Sequence, residues 1–493
     1  MTRISYAHGK ADGLADNGVR HFLSLPYAAP LTQERRFCKP QPVEPWEGVR
    51  DATKPGPSAP QPVAAASAEI DLSSLMAPKV ADGPDYLTLN IFTPDGEPRD
   101  RPVMLFIHGG SFISGSKDVP IYDGTAFARD GVVCVVINYR VGIEGFLPIP
   151  GVPTNLGLRD MIAALAWVRN YIADFGGNPD NVTLFGESGG AWCIAGLMAS
   201  PLAKGLFHRA ICQSGHVYGS RPIGVMQRVV KRLAKRMKIP ATREGFLGTP
   251  PQDMLPALEW VMKPSLFLDM RDDERRDPTF GITRFMMVHG DDVLPLPPIA
   301  ALAAGAGSEI ELLIGTTSEE ARLFFVPANA MGKIRRWMAL LFLHRALPNA
   351  RKALQAYGFD DKGAKPGEVL TRALTDLMFR AMTRRTAELH QGRSHVYEFE
   401  WRSPAINGEL GAAHAIELPF VFDTLDTASG AKGLLGEAPP QDLADSIHAL
   451  WIRFATDGSL PWAPFDSDTR QVWSLTSSAA DHEPVMPAAA FLP

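Results

Sequence analysis

The sequence predicts an α/β protein, with a mostly parallel β-sheet covered on both faces by helices. Three observations point that way. The apolar runs 103–107 and 132–137 lack the polar alternation of a half-exposed strand, as expected where both faces are covered. Stretch 158–174 carries Ile162, Leu165, Val168 and Ile172 at helical spacing, and Gly176-Gly177 ends it. Strand-like and helix-like stretches then keep alternating, which calls for parallel pairing through crossover helices.

Taken in order, 182–185 reads as a buried strand, 186–190 as a glycine-rich turn and 191–198 as a helix. Another strand is expected at 209–213. From about 221 to 294 the pattern turns helical and irregular, with a charge run at 271–277 that reads as a solvated surface turn. A strand returns at 310–314, helices dominate 327–393, and 395–401 and 442–457 supply a last strand and a closing helix. With no internal repeat or low-complexity linker, residues 1–493 read as one catalytic domain carrying helical cap insertions at about 221–294 and 327–393. Segment 333–345 is an apolar stretch flanked by basic residues. Such a helix can rest on a membrane surface, but packing as a cap on the core or at a substrate entrance is the preferred expectation.

Composition narrows the function. The chain has 493 residues, 45% hydrophobic and 21% charged, which is ordinary for a soluble enzyme. A net charge of −5 and the lack of a basic stretch interleaved with aromatics argue against nucleic acid as a partner. No apolar run is long enough to span a bilayer, and the first eight residues lack the apolar core of a signal peptide. Cys38, Cys134, Cys193 and Cys212 form no C-x-x-C pair and read as reduced thiols. A cytoplasmic protein is expected; no motif assigns an oligomeric state.

The chemistry centres on Gly186-Glu187-Ser188-Gly189-Gly190, a G-x-S-x-G sequence between a strand and a helix. That setting forces the serine onto a sharp turn, thrusts its hydroxyl outward and aims helix N–H groups at it. A serine hydroxyl needs a base, and the base needs a carboxylate to fix its tautomer. Glu319 and Glu320, just past the strand at 310–314, compete for the acid's role; helix-start residues facing the dipole are the competing explanation. His414, on a polar loop after the last strand, is the candidate base. His108-Gly109-Gly110-Ser111 has the small residues of an oxyanion-binding loop, with the Gly189 N–H as a further donor and His108 as a loop-positioning residue. No H-E-x-x-H or clustered ligand set calls for a metal.

The chain resembles the type-B carboxylesterases, a family with the α/β-hydrolase fold. The resemblance is carried by Pro26-Tyr27-Ala28, Arg36-Phe37, Asp85 to Asn90, the glycine loop and Asn138-Tyr139-Arg140. It continues through Asn155 to Asp160, Phe175 to Pro179, the serine turn, Gln213-Ser214-Gly215 and Glu417-Leu418-Pro419-Phe420. It implies Ser188, Glu320 and His414 as the catalytic triad, Gly110, Ser111 and Gly189 as oxyanion donors, and Ser214 as a support near the acid. It implies no cofactor. Ser111 stands where the family has a third loop glycine, and Ala321 where a glycine follows the acid. Secreted relatives carry a disulfide whose positions here are Ala59 and Tyr86. Loop 63–84 lacks the tryptophan of cholinesterases, and Arg36 and Asp85 are expected to pair and hold that loop. Phe112, Phe324 and Phe325 are candidate pocket walls, with at least one expected to be plain core.

The expected activity is hydrolysis of a neutral carboxylic ester, a small-molecule substrate, through an acyl-enzyme. An aryl carbamate or amide hydrolase would use the same machinery. A non-catalytic esterase-like binding protein is the remaining alternative, disfavoured because all three triad candidates are retained.

Overall fold

A computed structural model describes residues 1–63, 67, 69–76, 83–96, 100–263 and 268–492. Its centre is a sheet of 13 strands. Seven of these frame the site: β1 (Thr88–Pro94), β2 (Arg101–Ile107), β3 (Val133–Ile137), β4 (Gly177–Glu187), β5 (Arg209–Gln213), β6 (Glu311–Thr317) and β7 (Ser394–Phe399). Their spatial order is β1-β3-β2-β4-β5-β6-β7. All neighbours are parallel except β1 with β3.

The unbroken apolar runs have the cause expected of them. Val103, Leu105 and Ile107 point into one core layer, and Met104 and Phe106 into the other. Helices α1 (Leu156–Tyr171) and α2 (Gly189–Met198) cover the first face. Ala444, Ile447, Trp451 and Phe454 of the closing helix at Gln441–Asp457 cover the second. Register aligns the strand ends: Ile107 lies opposite Ile137 and Gly186, Gln213 opposite Glu187 and Gly315, and Thr317 opposite Phe399. The loops leaving β2, β4, β5 and β6 therefore emerge along one edge, where open α/β sheets bind ligands.

Region 221–294 holds helices α3 (Ile223–Met237) and α4 (Pro251–Met262) and a short parallel pair, Ser220–Pro222 with Met287–His289. Region 327–393 holds α5 (Arg336–His344), α6 (Pro366–Thr375) and α7 (Ala381–Leu389), with a π-helical turn, Asp376–Arg380, joining the last two. Among the described residues no helix is long and apolar enough to cross a membrane.

Several expectations are corrected. Arg36 does not pair with Asp85: its Nε donates to Glu144 at 2.7 Å, while Asp85 accepts from Arg50 at 2.7 Å. Arg36 reaches instead the buried carboxylate that Tyr86 also contacts, at 2.9 Å. Part of loop 63–84 lies outside the described residues. The charge run is not wholly solvated, because Asp277 is buried and holds Arg221 at 2.5 Å. Trp401 falls beyond β7. The antiparallel strands Thr2–Tyr6, Gly9–Asp16 and Val19–Pro26, which lead into β1, were not legible. Gly9–Asp16 reads Gly-Lys-Ala-Asp-Gly-Leu-Ala-Asp, nearly all residues disfavoured in strands.

Candidate active site

Ser188 stands between β4 and α2 at φ 54° and ψ −123°, a strained backbone for a residue with a side chain. The turn is that tight because α2 returns directly over β2. A Cβ on Gly190 would lie 2.0 Å from the Ile107 carbonyl oxygen, and one on Gly186 2.6 Å from it. The flanking glycines are thus required by contact with the neighbouring strand. The Ser188 N–H donates to the Gln213 carbonyl at 2.9 Å, tying the turn to the end of β5.

The acid position follows β6. Glu320 is fully buried and accepts from the Thr317 N–H at 2.9 Å, the Ser214 hydroxyl at 2.5 Å and His414 Nδ1 at 2.5 Å. The backbone N–H of His414 also donates to the Glu320 carbonyl, at 3.2 Å. Glu319 faces elsewhere: it pairs with Arg402 and Arg322 and accepts from the Ala412 N–H at 3.0 Å. The two adjacent carboxylates are therefore distinct, one on the imidazole and one fastening the loop that carries it. Ser214, itself at φ 54°, sits on the acid as the resemblance implied.

With Nδ1 engaged, the opposite edge of the His414 ring faces the serine turn. Nε2 lies 2.9 Å from Oε1 of Glu187, the residue before Ser188. That approach lacks hydrogen-bond alignment, since Oε1 has no hydrogen-bond partner. Burial works against a charge on His414, but Glu187 and Glu320 outweigh it and raise its pKa well above the usual imidazole range. Glu417, three residues on, accepts from Gln213 Nε2 at 3.2 Å. Burial, with the charges of Glu187 and Glu320 added, pushes Glu417 up to about 8. Glu187 and Glu417 were missed in the sequence, although a carboxylate set in an apolar run is the kind of signal that could have marked them.

The glycine loop leaves β2 beside this cluster. Gly110 and Ser111 have φ of 107° and 54°. The N–H of Ser111 lies 3.6 Å from where a Cβ on Gly189 would stand, so the loop and the start of α2 face each other. Among the described residues neither the Gly110 nor the Ser111 N–H donates to a protein acceptor, and Gly189, first in its helix, has no helical carbonyl to meet. His108 supports the loop from behind: its Nδ1 meets the Gly109 carbonyl at 2.8 Å, its ring stacks on Tyr139, and burial lowers it to about 4.

Of the three phenylalanines, Phe324 lies 5.5 Å from the His414 ring. Phe112 is wholly buried between Phe146 and Trp192 and is plain core. Phe325 turns away towards Phe342 of α5. A further ring beside the imidazole is Phe379, 4.9 Å from His414 and carried by the π-helical turn. Among the described residues no group of three or more His, Cys, Asp and Glu is arranged to hold a metal ion.

Comparison with known proteins agrees with this architecture. The chain is 36% identical to the para-nitrobenzyl esterase of Bacillus subtilis over 491 residues, covering 96% of this chain and 94% of that one. It is 34% identical to phenmedipham hydrolase of Pseudarthrobacter oxydans, with the same coverage of each. A solved thermophilic PNB esterase superposes with a TM-score of 0.84 at 31% identity over 99% of both chains, which shows the α/β-hydrolase fold. The model of the carboxylesterase family matches residues 2–488, and the chain belongs to that family.

Proposed function

We propose that this carboxylic ester hydrolase works through an acyl-enzyme on Ser188, with His414 as base and Glu320 as its orienting acid. One observation carries the assignment: Glu320 holds His414 Nδ1 at 2.5 Å while Nε2 is turned to the residue preceding Ser188. His414 takes the serine proton as Oγ attacks the ester carbonyl. The imidazolium so formed is stabilised by Glu320, held in place by three donors. The tetrahedral oxyanion rests on the N–H groups of Gly110, Ser111 and Gly189, none of which donates to a backbone acceptor among the described residues. His414 returns the proton to the leaving alcohol, and water then repeats the sequence on the acyl-enzyme.

Phe324 and Phe379 put apolar surface beside the imidazole, which suits a neutral substrate. The similarity to phenmedipham hydrolase favours aryl carbamates as the second substrate class. In this mechanism the chain works as one catalytic unit whose insertions, about 221–294 and 327–393, shape the substrate space. A cytoplasmic location is supported by the four unpaired cysteines, three of them buried.

The test is kcat/KM on p-nitrophenyl butyrate, p-nitrophenyl N-methylcarbamate and p-nitrobutyranilide, for the wild type and Ser188→Ala. The expected result is rapid ester turnover that falls about 10⁴- to 10⁶-fold in the variant. Faster carbamate than ester turnover would redirect the substrate class. Equal rates in the two proteins would remove Ser188 from the mechanism.

A further inference from the structure

Helix α5 does not behave as a buried cap. Only Ala339 and Leu343 are buried, while Trp337 is 62% exposed, Met338 37% and Leu341 44%. Large exposed hydrophobics are otherwise scattered along the described chain, so three within five residues form a patch. They continue into a groove of about 500 Å³, bordered also by Phe325, Ile334 and Phe342.

Positive charge predominates along the segment that builds this patch. Residues 321–359 contain no Asp or Glu and seven cations: Arg322, Lys333, Arg335, Arg336, Arg345, Arg351 and Lys352. The protein as a whole is at −5, so positive charge is concentrated here against the general balance. Arg336 and Arg351 share Asp360. Lys333 and Arg335, which lead into the helix, are exposed and meet no carboxylate among the described residues.

An apolar ridge ending in a tryptophan, with the exposed cations Lys333 and Arg335 beside it, has the chemistry of a surface that lies on anionic lipid. A second copy fits less well. In a closed two-fold dimer the patch meets itself, bringing Lys333 and Arg335 towards their own counterparts.

We propose that α5 and its groove dock the protein on anionic lipid bilayers. The cations supply the attraction, and Trp337, Met338 and Leu341 enter the interface. The docked face adjoins the candidate active site, since Phe325 borders the groove and Phe324 lies against His414. Docking itself does not depend on which bond the enzyme cleaves.

The experiment is co-sedimentation of the full chain with phosphatidylglycerol-containing vesicles and with pure phosphatidylcholine vesicles, at low and high salt. Binding is expected on the anionic vesicles and should weaken as salt screens it. Lys333→Gln with Arg335→Gln should weaken it about 20- to 30-fold. Trp337→Ser with Leu341→Ser should weaken it by about tenfold or more for each residue. Melting curves of both double variants check that they fold, and the salt and lipid comparisons on the wild type stand without them. Absence of binding, equal binding to both vesicle types, or binding indifferent to either double variant overturns the proposal. So does concentration-dependent self-association, seen by sedimentation velocity and abolished by the Trp337 and Leu341 changes.

Discussion

Two carboxylates bracket the His414 ring, and each has its own measurable consequence. Glu320 fixes which nitrogen carries the proton, and Glu187 adds a second negative charge 2.9 Å from Nε2. In the proposed mechanism the imidazole must be neutral to accept the serine proton, so its raised pKa predicts that activity is lost on acidification at a higher pH than an ordinary histidine would give. Glu187→Gln removes one of the raising charges. The acid limb of the kcat/KM profile should move to lower pH, by about one to three units, as read from the pH dependence with p-nitrophenyl butyrate. Glu417 titrates the other way in its effect on folding. Its pKa is pushed up to about 8 in the native state, so the folded protein holds a proton that the unfolded chain releases above the ordinary carboxylate range. Native stability therefore falls as pH rises through that window. Glu417→Gln cannot release a proton, and its stability relative to wild type should improve between pH 5 and 8 by up to about 1.4 kcal/mol per pH unit, measured by urea unfolding at each pH.

At the level of elements, the turn from β4 to α2 depends on how closely α2 approaches β2. Gly190→Ala would place a methyl group 2.0 Å from the Ile107 carbonyl oxygen, and backbone on both sides must give. Destabilisation of about 1–3 kcal/mol is expected, visible as a lowered Tm, with activity reduced in the fraction that folds because Ser188 moves with the helix. This turn was legible because its demands are local: an apolar strand, glycines at fixed offsets and a helix, all within 182–198. The glycine loop after β2 was legible as a turn of small residues leaving a strand for the same reason. Local pattern left the acid open between Glu319 and Glu320, which only the family resemblance separated, because Arg402, Arg322 and the Ala412 N–H that draw Glu319 aside are reached through folding. The Arg36 partner was missed on similar grounds: Glu144 is 108 residues away, and no pattern between them encodes the contact. Phe379 was hidden because a π-helical turn breaks the periodicity by which a helical face is read.

Across the whole molecule, segments distant in sequence are fastened by buried ion pairs, among them Arg140 with Asp160. Arg140, just past β3, meets Asp160 of α1 through Nε at 2.8 Å and a second nitrogen at 2.6 Å, both side chains being fully buried. The remaining guanidinium nitrogen donates to the carbonyls of Arg36 and Cys38, at 3.0 and 2.7 Å, so the N-terminal loop is held by the same group. Asp160→Asn leaves the guanidinium without a counter-charge, and a loss of about 3–5 kcal/mol is expected, measured as a lowered denaturation midpoint. The order in which the site is assembled has a further consequence. Ser188 and Glu320 are both synthesised before His414, and the contacts that fix the imidazole come from all three regions. A chain still on the ribosome with residue 414 unmade has the serine but no base for it. In the proposed mechanism hydrolysis therefore waits for residue 414 to be made, and a product terminated before it would be inert towards esters.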